Sequence, residues 1–362
     1  MTARTRVLIV DDSAVMRSLL RSVVAADPSL EVAGTAANGV DALEAVAALK
    51  PDLMLLDVEM PVMDGLETLR RLQAQGSQVP VIMCSAVTQR GAKVTIEALA
   101  GGAADYVTKP AQQAGREQAA VKLTAELLPK INALARRRRG ERRAVAPPPR
   151  ATPASREEAP GIVAIGVSTG GPAALDRVLP GLPAHFPLPI LVVQHMPELF
   201  TQTLADRLDR TCSIRVREAV EGAPVRAGEV VIARGDWHLE VQGIAGGAVR
   251  QHLTRNPPEN HCRPSVDVLF RSCGAVYGAG VLAVVLTGMG SDGLAGCRAL
   301  REAGATVLAQ DEASSTVWGM PGAVAQAGLA NRIVPLDQMA AELVRTASGR
   351  FYETQKLRDA VV

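Results

Sequence analysis

The fold of the first half of the chain is decided by the stretch PDLMLLDVEMPVMDG, residues 51–65. A short apolar run ends there at Asp57, and a turn leads into a helical pattern that begins after Asp64. A strand that is apolar throughout is buried on both faces, as in a parallel sheet covered by helices. The stretch therefore predicts a βα unit with Asp57 at the carboxyl end of its strand.

The same βα pattern occurs five times within residues 1–127. The apolar runs predicted as strands are 7–10, 31–36, 52–57, 79–85 and 105–110. Helical spacing follows them from about residues 13, 38, 64, 91 and 116. Five successive units predict an α/β domain with a five-stranded parallel sheet, doubly wound and flavodoxin-like, whose ligand site lies at the carboxyl ends of the strands.

Polar residues gather at this predicted edge: Asp11 and Asp12 follow the first strand, and Asp57, Ser85 and Lys109 end the third, fourth and fifth. Three carboxylates repel one another unless a cation lies among them, and hard oxygen ligands suit Mg²⁺. We expect Asp57 to accept a phosphoryl group whose charge Mg²⁺ and Lys109 neutralise. Each residue alone also has a structural explanation, because such carboxylates often cap helices and Lys-Pro pairs often form turns.

The second half of the chain resumes the alternation with a glycine-rich turn. The apolar run 162–165 leads into GVSTGGP, residues 166–172, and then into a helical pattern. Such a turn binds a phosphate at a helix N-terminus or presents a nucleophile. The Gly-x-Ser-x-Gly spacing around Ser168 favours a nucleophile, because the dinucleotide fingerprint and the lysine of a P-loop are both missing. We predict a Rossmann-like α/β domain with a mostly parallel sheet.

A base and an acid emerge at the same predicted edge as Ser168. His195 ends the apolar run 189–194, and Asp292 follows the most strongly apolar run of this half. These three residue types form a nucleophilic triad, and the glycine-rich backbone around Met289 can donate N–H groups to an oxyanion. The chain order Ser, His, Asp differs from the order in α/β-hydrolases. A helix-capping Ser or Asp and a buried structural His remain alternatives.

The net charge of +2 is concentrated in one segment. Residues 136–159 hold 8 basic and 3 acidic side chains and are rich in proline, whereas both flanking halves are slightly acidic. We predict a solvated linker over 128–159 and a separate tail over 349–362. An arginine cluster also suits nucleic acid, but only nine residues of the chain are aromatic, which argues against a base-stacking surface.

The cysteines and the apolar runs carry little functional signal. The five cysteines are scattered, without the spacing of a zinc site or the density of a disulfide scaffold, and we expect them to be reduced packing residues. No signal peptide and no apolar run near the length of a membrane span is evident. We therefore expect a cytoplasmic protein that neither inserts into a membrane nor binds nucleic acid.

The first half resembles the receiver domain of response regulators over residues 5–125, through the motifs LIVDDS, LLDVEMPVMDG, CSA and TKP in that order. The resemblance implies that a histidine kinase supplies the phosphate to Asp57. The metal ligands that it implies are Asp11, Asp12, Asp57 and the Glu59 carbonyl. The switch and contact residues that it implies are Ser85, Tyr106 and Lys109. A cis peptide bond is a candidate feature at Lys109–Pro110.

The second half resembles the catalytic domain of the CheB family of chemotaxis protein-glutamate methylesterases, over residues 160–348. The motifs that carry this resemblance are GVSTGGP, VVQHMP, HCRPSVDVLF and LTGMGSDG. The order of receiver, linker and catalytic domain matches as well. The resemblance implies hydrolysis of glutamate γ-methyl esters on methyl-accepting chemotaxis receptors and deamidation of certain receptor glutamines, with no cofactor for the esterase step.

Residue roles also follow from the resemblance. It implies Ser168 as nucleophile, His195 as general base, Asp292 as its partner, Met289 as a backbone oxyanion donor and Thr169 at the border of the site. His261 and Arg263 are candidates either for shaping the substrate cleft or for holding a loop. Cys262, which lies between them, is the one departure from the family pattern, and we expect it to leave the triad unaffected.

Two other classes of function are consistent with parts of the sequence. A response regulator with a DNA-binding output is suggested by the arginine cluster, but residues 160–348 contain no segment that resembles a helix-turn-helix. A nucleotide-binding module is suggested by the turn at 166–171. For the methylesterase, we expect the unphosphorylated receiver to cover the Ser168 edge and phosphate on Asp57 to favour an open arrangement.

Overall fold

The computed structural model describes residues 4–110, 115–138, 140 and 160–359. The chain divides into two compact units, Met1–Arg143 and Ala144–Val362. Most of the predicted linker lies outside the described residues. No helix in the described ranges is both long and apolar enough to cross a membrane.

The first unit contains a five-stranded parallel sheet with helices between the strands. Its strands are β1 (Thr5–Val10), β2 (Leu30–Ala36), β3 (Leu53–Asp57), β4 (Val81–Ser85) and β5 (Asp105–Thr108). Its helices are α1 (Ala14–Ala25), α2 (Gly39–Leu49), α3 (Gly65–Ala74), α4 (Gln89–Ala100) and α5 (Arg116–Arg138). The strand order is β2-β1-β3-β4-β5, and every pairing is parallel. The prediction of a doubly wound domain is confirmed.

Side-chain caps fix where the first four helices begin. The N-cap residues Ser13, Asn38, Asp64 and Thr88 each accept a hydrogen bond from the backbone N–H three residues further on. An N-cap of this kind satisfies one of the free N–H groups of the first helical turn. The connections after β1, β2 and β4 are three residues long or shorter and the connection after β3 has seven residues, so all four helices begin at the edge of the sheet formed by the carboxyl ends of the strands.

Helix α5 runs past the predicted domain boundary at residue 127. Leu127, Ile131 and Leu134 are buried at helical spacing, so the apolar face of the helix continues into the segment predicted as linker. At the C-terminal end of α5, Arg138 Nη1 donates to the carbonyl oxygens of Pro51 and Asp52 at 3.1 and 3.0 Å. The first part of the segment 128–159 is therefore helical and packs on the first unit.

The second unit is a larger α/β layer structure. The strands described in it are β6 (Ile162–Val167), β7 (Ile190–Gln194), β8 (Arg215–Glu218), β9 (Glu229–Ile232), β10 (His238–Gly243), β11 (Val249–Thr254), β12 (Val281–Val285), β13 (Thr306–Gln310) and β14 (Arg332–Val334). Its helices are α6 (Gly171–Val178), α7 (Glu198–Thr211), α8 (Val266–Tyr277), α9 (Leu294–Glu302), α10 (Met320–Gln326) and α11 (Leu336–Asp359). Helix α11 extends into the predicted tail 349–362.

Seven of these strands form one parallel sheet in the order β14-β13-β12-β6-β7-β9-β8, and β10 and β11 form a separate antiparallel hairpin. The prediction of a mostly parallel sheet is confirmed. The chain enters the large sheet at β6, builds outward through β7, and later returns to the other side of β6 with β12. The strand order thus reverses at β6, and such switch points form ligand-binding crevices at the carboxyl ends of the strands.

Helix α8 packs closely against the central strand β6. A Cβ atom on Gly166, in β6, would overlap the side chain of Val266, the first residue of α8. A glycine at this position allows the helix to approach the strand backbone. The first turn of α8 is consequently held near the carboxyl end of β6, where its backbone N–H groups contribute to the site described next.

Candidate functional site

The first unit brings two buried carboxylates and a lysine together at the sheet edge. Asp57 ends β3, Asp11 follows β1, and Lys109 follows β5. Lys109 Nζ lies 2.8 Å from Asp11 Oδ2 and 2.7 Å from Asp57 Oδ2. The ammonium group therefore bridges two side chains that are almost completely shielded from solvent.

Burial and charge act in opposite directions on this group. Burial raises the pKa of Asp57 to about 6, although the Lys109 ammonium acts to lower it. Burial also disfavours the charged form of Lys109, but the carboxylates of Asp57 and Asp11 outweigh it and raise the pKa of Lys109. A further cation at this edge would favour the ionised, nucleophilic form of Asp57.

The donor set suits a hard divalent cation. Carboxylate oxygens of Asp11, Asp12 and Asp57 lie within 4.8 Å of one another. Asp12, Asp57 and Glu59 line an open cavity of about 640 Å³. The Glu59 N–H is 3.4 Å from Asp57 Oδ1, and its carboxylate pairs with Arg90 at 3.1 Å. All-oxygen ligands beside an open cavity match the preference of Mg²⁺ for carboxylates together with water, so the residues present fit this ion.

The two predicted switch residues lie on neighbouring strands. Ser85 is buried at the end of β4, and its hydroxyl donates to the Ala86 carbonyl at 3.2 Å. Tyr106, in β5, has a buried ring, with Lys130 Nζ 5.1 Å from the ring centroid. The suggestion of a cis bond at Lys109–Pro110 is wrong; within the described ranges the cis bond is Arg263–Pro264.

In the second unit, Ser168 lies in the turn between β6 and α6. Its N–H donates to the Thr287 carbonyl at 3.0 Å, and its carbonyl accepts from Gly171 N–H at 2.8 Å and from Gln194 Nε2 at 3.0 Å. Two of these bonds connect the turn to the segment that follows β12 and to the last residue of β7. The Ser168 backbone is thereby fixed at the switch point of the sheet.

His195 and Asp292 meet across the end of β6. His195 follows β7, Asp292 lies after β12, and His195 Nε2 is 2.8 Å from Asp292 Oδ2. Strands β7 and β12 are separated by β6, so their axes are about 10 Å apart at the usual strand spacing. The two side chains therefore span the carboxyl end of β6, which is where Ser168 begins its turn.

A dense set of donors holds Asp292 in place. Its Oδ2 accepts from the Val266 N–H at 2.7 Å as well as from His195. Its Oδ1 accepts from four further groups: Asn260 Nδ2, Ser265 Oγ, Asp267 N and Gly293 N. Burial alone would raise the pKa of Asp292, but these hydrogen bonds and the imidazole outweigh it and lower that pKa. Asp292 is thus a fixed, ionised partner.

The carboxylate sets the state of the imidazole. Burial would lower the pKa of His195, but the interactions with Asp292 and with Cys262 together outweigh burial and raise that pKa. In the neutral ring an ionised carboxylate at Nε2 selects the tautomer with its proton on Nε2, which leaves a lone pair on Nδ1. Nδ1 is therefore the atom of His195 that can accept a proton.

The thiol of Cys262 contacts this nitrogen. Its Sγ lies 3.6 Å from His195 Nδ1, whereas no hydrogen bond between Ser168 Oγ and His195 is present in the described part of the chain. Cys262 is partly exposed and contacts the imidazole, so it is not only a packing residue as expected. Cys262 and His195 are 67 positions apart in the sequence, so no local sequence pattern predicted this contact.

The remaining predicted residues border the same site. Thr169 is buried, and its carbonyl accepts from Thr287 Oγ1 at 2.9 Å. The Met289 N–H makes no hydrogen bond to any residue in the described ranges, so it is free to donate to an oxyanion. His261 is exposed. Arg263 Nη1 donates to the Arg255 and Asn256 carbonyls at 3.3 and 3.2 Å, which is the loop-holding alternative.

Comparison with known proteins accounts for both units. Residues 163–343 match the model of the CheB methylesterase family, and residues 7–120 match that of the response regulator receiver domain. The protein-glutamate methylesterase/protein-glutamine glutaminase of Nocardioides sp. is 49% identical over 94% of both chains. The relative of the same name from Trichodesmium erythraeum is 47% identical over 94% of this chain and 98% of its own.

The chain belongs to the CheB methylesterase family. A solved structure agrees with this assignment: the CheB methylesterase catalytic domain of Thermotoga maritima is 42% identical, with a TM-score of 0.50, and covers 51% of this chain and 98% of its own. The chain is a response regulator of this family, with a receiver domain followed by a catalytic domain. The three motifs that contain Ser168, His195 and Asp292, and the Cys262 segment, lie inside the matched catalytic range.

Sequence reasoning missed several residues of the CheB-type site. Asn260, Ser265 and Asp267 all bond to the carboxylate of Asp292 or share its donors. Gln194 supports the turn of Ser168. Asn260 directly precedes the motif HCRPSVDVLF, and Ser265 and Asp267 lie in it. The cluster of polar residues around this motif was the signal that could have indicated their role in the site.

Proposed function

We propose that the chain is a phosphorylation-activated esterase that hydrolyses glutamate γ-methyl esters on methyl-accepting chemotaxis receptors and deamidates certain receptor glutamines. The observation that carries the proposal is the His195–Asp292 pair, which spans the carboxyl end of β6 beside Ser168. Family membership supports the reaction class. The proposed site of action is the cytoplasm.

Ser168 is the proposed nucleophile and His195 its general base. Asp292 fixes the Nε2–H tautomer, so Nδ1 accepts the Ser168 proton as the oxygen attacks the γ-carbonyl carbon. For this step the hydroxyl replaces the Cys262 thiol at Nδ1. Hydrogen bonds to a catalytic base are often loose before substrate binds, and they tighten in the reacting complex.

The acyl-enzyme forms and breaks in two balanced steps. The attack gives a tetrahedral oxyanion, to which the Met289 N–H donates; such a donor contributes about 3 kcal/mol. The imidazolium of His195 then returns its proton to the leaving group, which departs as methanol from an ester or as ammonia from an amide. Water, deprotonated by His195, attacks the acyl group and frees the glutamate and Ser168.

The proposed regulatory step takes place in the receiver. Asp57 accepts a phosphoryl group from a chemotaxis histidine kinase. The residues proposed to hold Mg²⁺ are Asp11, Asp12, Asp57 and the carbonyl of Glu59, and the ion supplies positive charge at the phosphoryl oxygens. Lys109 lies against Asp57 and provides a second positive charge. Ser85 and Tyr106 are the proposed switch residues.

Phosphorylation is proposed to act by shifting a population. An inactive arrangement in which the receiver covers the Ser168 edge becomes less populated when Asp57 carries phosphate. A change in this equilibrium from 1:99 to 99:1 requires about 5.5 kcal/mol of differential stabilisation, and a smaller activation requires correspondingly less. The ratio of rates with and without phosphate measures this quantity directly.

Methanol release from a methylated receptor tests the proposal. The full chain, phosphorylated with a small-molecule phosphodonor and Mg²⁺, should release methanol, and Ser168→Ala should abolish the release without changing Asp57 phosphorylation. The matched control is Ser213→Ala, an exposed serine of the same unit that should keep full activity. Continued turnover by Ser168→Ala would show that the nucleophile is assigned incorrectly. A receptor with glutamine at the same position tests ammonia release.

A further inference from the structure

The imidazole nitrogen that the proposed mechanism requires is shared with a thiol. Cys262 Sγ lies 3.6 Å from Nδ1, and both side chains are partly exposed. Nitrogen and thiolate sulfur are the ligands that Zn²⁺ prefers, whereas Mg²⁺ prefers oxygen. The pair therefore differs in chemistry from the all-oxygen cluster of the receiver.

The spacing of the two atoms matches a tetrahedral metal. Zn²⁺ bonds of about 2.1 Å to nitrogen and 2.3 Å to sulfur, at a tetrahedral angle, separate the two ligand atoms by about 3.6 Å. This is the separation found between Nδ1 and Sγ. A cation can therefore enter between His195 and Cys262 without a change in their spacing.

Asp292 is already in the position of a supporting group for such a metal. A histidine that binds a metal through one ring nitrogen usually donates the other N–H to a carboxylate, which fixes the tautomer. His195 Nε2 lies 2.8 Å from Asp292 Oδ2. Both Asp292 oxygens are occupied by other donors, so Asp292 orients the ligand and does not coordinate.

We propose that His195 Nδ1 and Cys262 Sγ form a binding site for a soft divalent cation such as Zn²⁺, and that its occupancy blocks the esterase. The metal takes the lone pair that must accept the Ser168 proton. The Cys262 thiol loses its proton to solvent on binding, no electron is transferred, and water completes the coordination. The inhibitory consequence rests on the proposed function; the binding site does not.

The other four cysteines are not part of the proposed site, and one of them can serve as a control. Cys84, Cys273 and Cys297 are buried. Cys212, at the C-terminal end of α7, is partly exposed and belongs to the same unit as the proposed site. Cys212→Ser is thus the matched control for Cys262→Ser.

Two measurements on the full chain test the site. In the first, methanol release is followed with Mg²⁺ and phosphodonor present while buffered Zn²⁺ is raised, and each variant's rate is divided by its own rate without Zn²⁺. Wild type and Cys212→Ser should share one inhibition midpoint, and Cys262→Ser should need about tenfold more Zn²⁺ because a soft ligand is lost. Asp57 phosphorylation, measured in the same samples, should not change.

In the second measurement, Co²⁺ replaces Zn²⁺ as an optical probe in the absence of substrate. Wild type and Cys212→Ser should develop thiolate-to-Co²⁺ charge-transfer absorption, and Cys262→Ser should not. Loss of the band in Cys212→Ser alone, or its absence in all three proteins, would overturn the site. Equal Zn²⁺ inhibition of Cys262→Ser and wild type, or inhibition that follows reduced phosphorylation, would overturn the inhibitory role. If wild type releases no methanol even without Zn²⁺, the proposed function fails while the Co²⁺ band still decides the site.

Discussion

Substitution of Asp292 by asparagine tests whether the carboxylate sets the tautomer of His195. The variant keeps the size of the side chain but replaces one oxygen by an NH₂ group. Oδ1 accepts from four donors and Oδ2 from two, so the amide should direct its NH₂ towards the Oδ2 position, facing His195 and the Val266 N–H. There the NH₂ donates to Nε2, and the ring proton moves to Nδ1.

The expected cost has a catalytic part and a structural part. Once Nδ1 carries a proton it cannot accept the proton of Ser168, and the wrong tautomer lowers kcat by about 10⁴ in the serine protease triad that serves as the reference case. That factor corresponds to about 5.5 kcal/mol of transition-state free energy. The Val266 N–H loses its acceptor, which removes about 1–3 kcal/mol from the free energy of unfolding.

Steady-state methanol release and denaturant unfolding separate the two parts. The matched control is Asp267→Asn, because Asp267 is equally buried and bonds to Asn260 and Gly296 N–H but makes no hydrogen bond to His195. Asp267→Asn should lose stability while kcat falls by less than about tenfold. If a folded Asp292→Asn enzyme keeps its rate within about tenfold of wild type, the carboxylate does not control the tautomer and the reasoning is refuted.

Three further outcomes are expected. Gly171→Ala places a Cβ into Gln194 Oε1 and should lower the free energy of unfolding by about 1–3 kcal/mol, seen as a lower denaturant midpoint. Lys109→Ala, without metal, leaves the carboxylate of Asp57 with no ammonium partner. It should cost about 3 kcal/mol where Asp57 is ionised and less where it is protonated. Because Lys109 lowers the pKa of Asp57, which is about 6 with the lysine present, the transition in the variant should lie above pH 6; paired denaturation curves check this. The acidic limb of the kcat/KM profile should lie above the ordinary histidine range, because Asp292 raises the pKa of His195 and the protonated ring is inactive.

Each of these outcomes has its own control. Gly243→Ala adds a Cβ into open space without a positive φ and should leave the denaturant midpoint nearly unchanged. For Lys109→Ala, added Mg²⁺ should restore part of the loss, and a destabilisation independent of pH would contradict the charge argument. For the pH profile, Asp292→Asn should move the acidic limb to lower pH; an unchanged limb would mean that another group titrates there.

The receiver could be predicted almost completely because its signals are local. Each strand is a short apolar run, and each of the first four helices begins at a side-chain cap a few residues later. The parallel arrangement places Asp11, Asp57 and Lys109 at one edge whatever the exact strand order, since all follow carboxyl ends. The end of α5 was less predictable, because the buried face that extends it past residue 127 includes only a few apolar side chains.

The catalytic unit was harder to predict from the sequence, because its site depends on the strand order and on the conformation of a loop. The sequence placed Ser168, His195 and Asp292 at carboxyl ends of strands but contained no sign that β12 lies beside β6. The loop that carries Cys262 is followed by the start of α8 at Val266, but no comparable helix signal precedes it. Neither periodicity nor capping specifies a contact between residues 67 positions apart.

The strand order explains why one nitrogen controls the site. Because β6 lies between β7 and β12, the side chains of His195 and Asp292 meet only by reaching over the end of β6, and this commits Nε2 to the carboxylate. Nδ1 is then left for other partners: it contacts the Cys262 thiol, and in the proposed reaction it accepts the Ser168 proton. In the proposed reaction the His195 ring acts through Nδ1 as general base for the Ser168 hydroxyl. In the proposed metal site the same nitrogen is one ligand and the Cys262 thiolate is the second. A change at position 262 should therefore alter metal sensitivity and the resting position of the imidazole together, while the sheet that creates the pair stays the same.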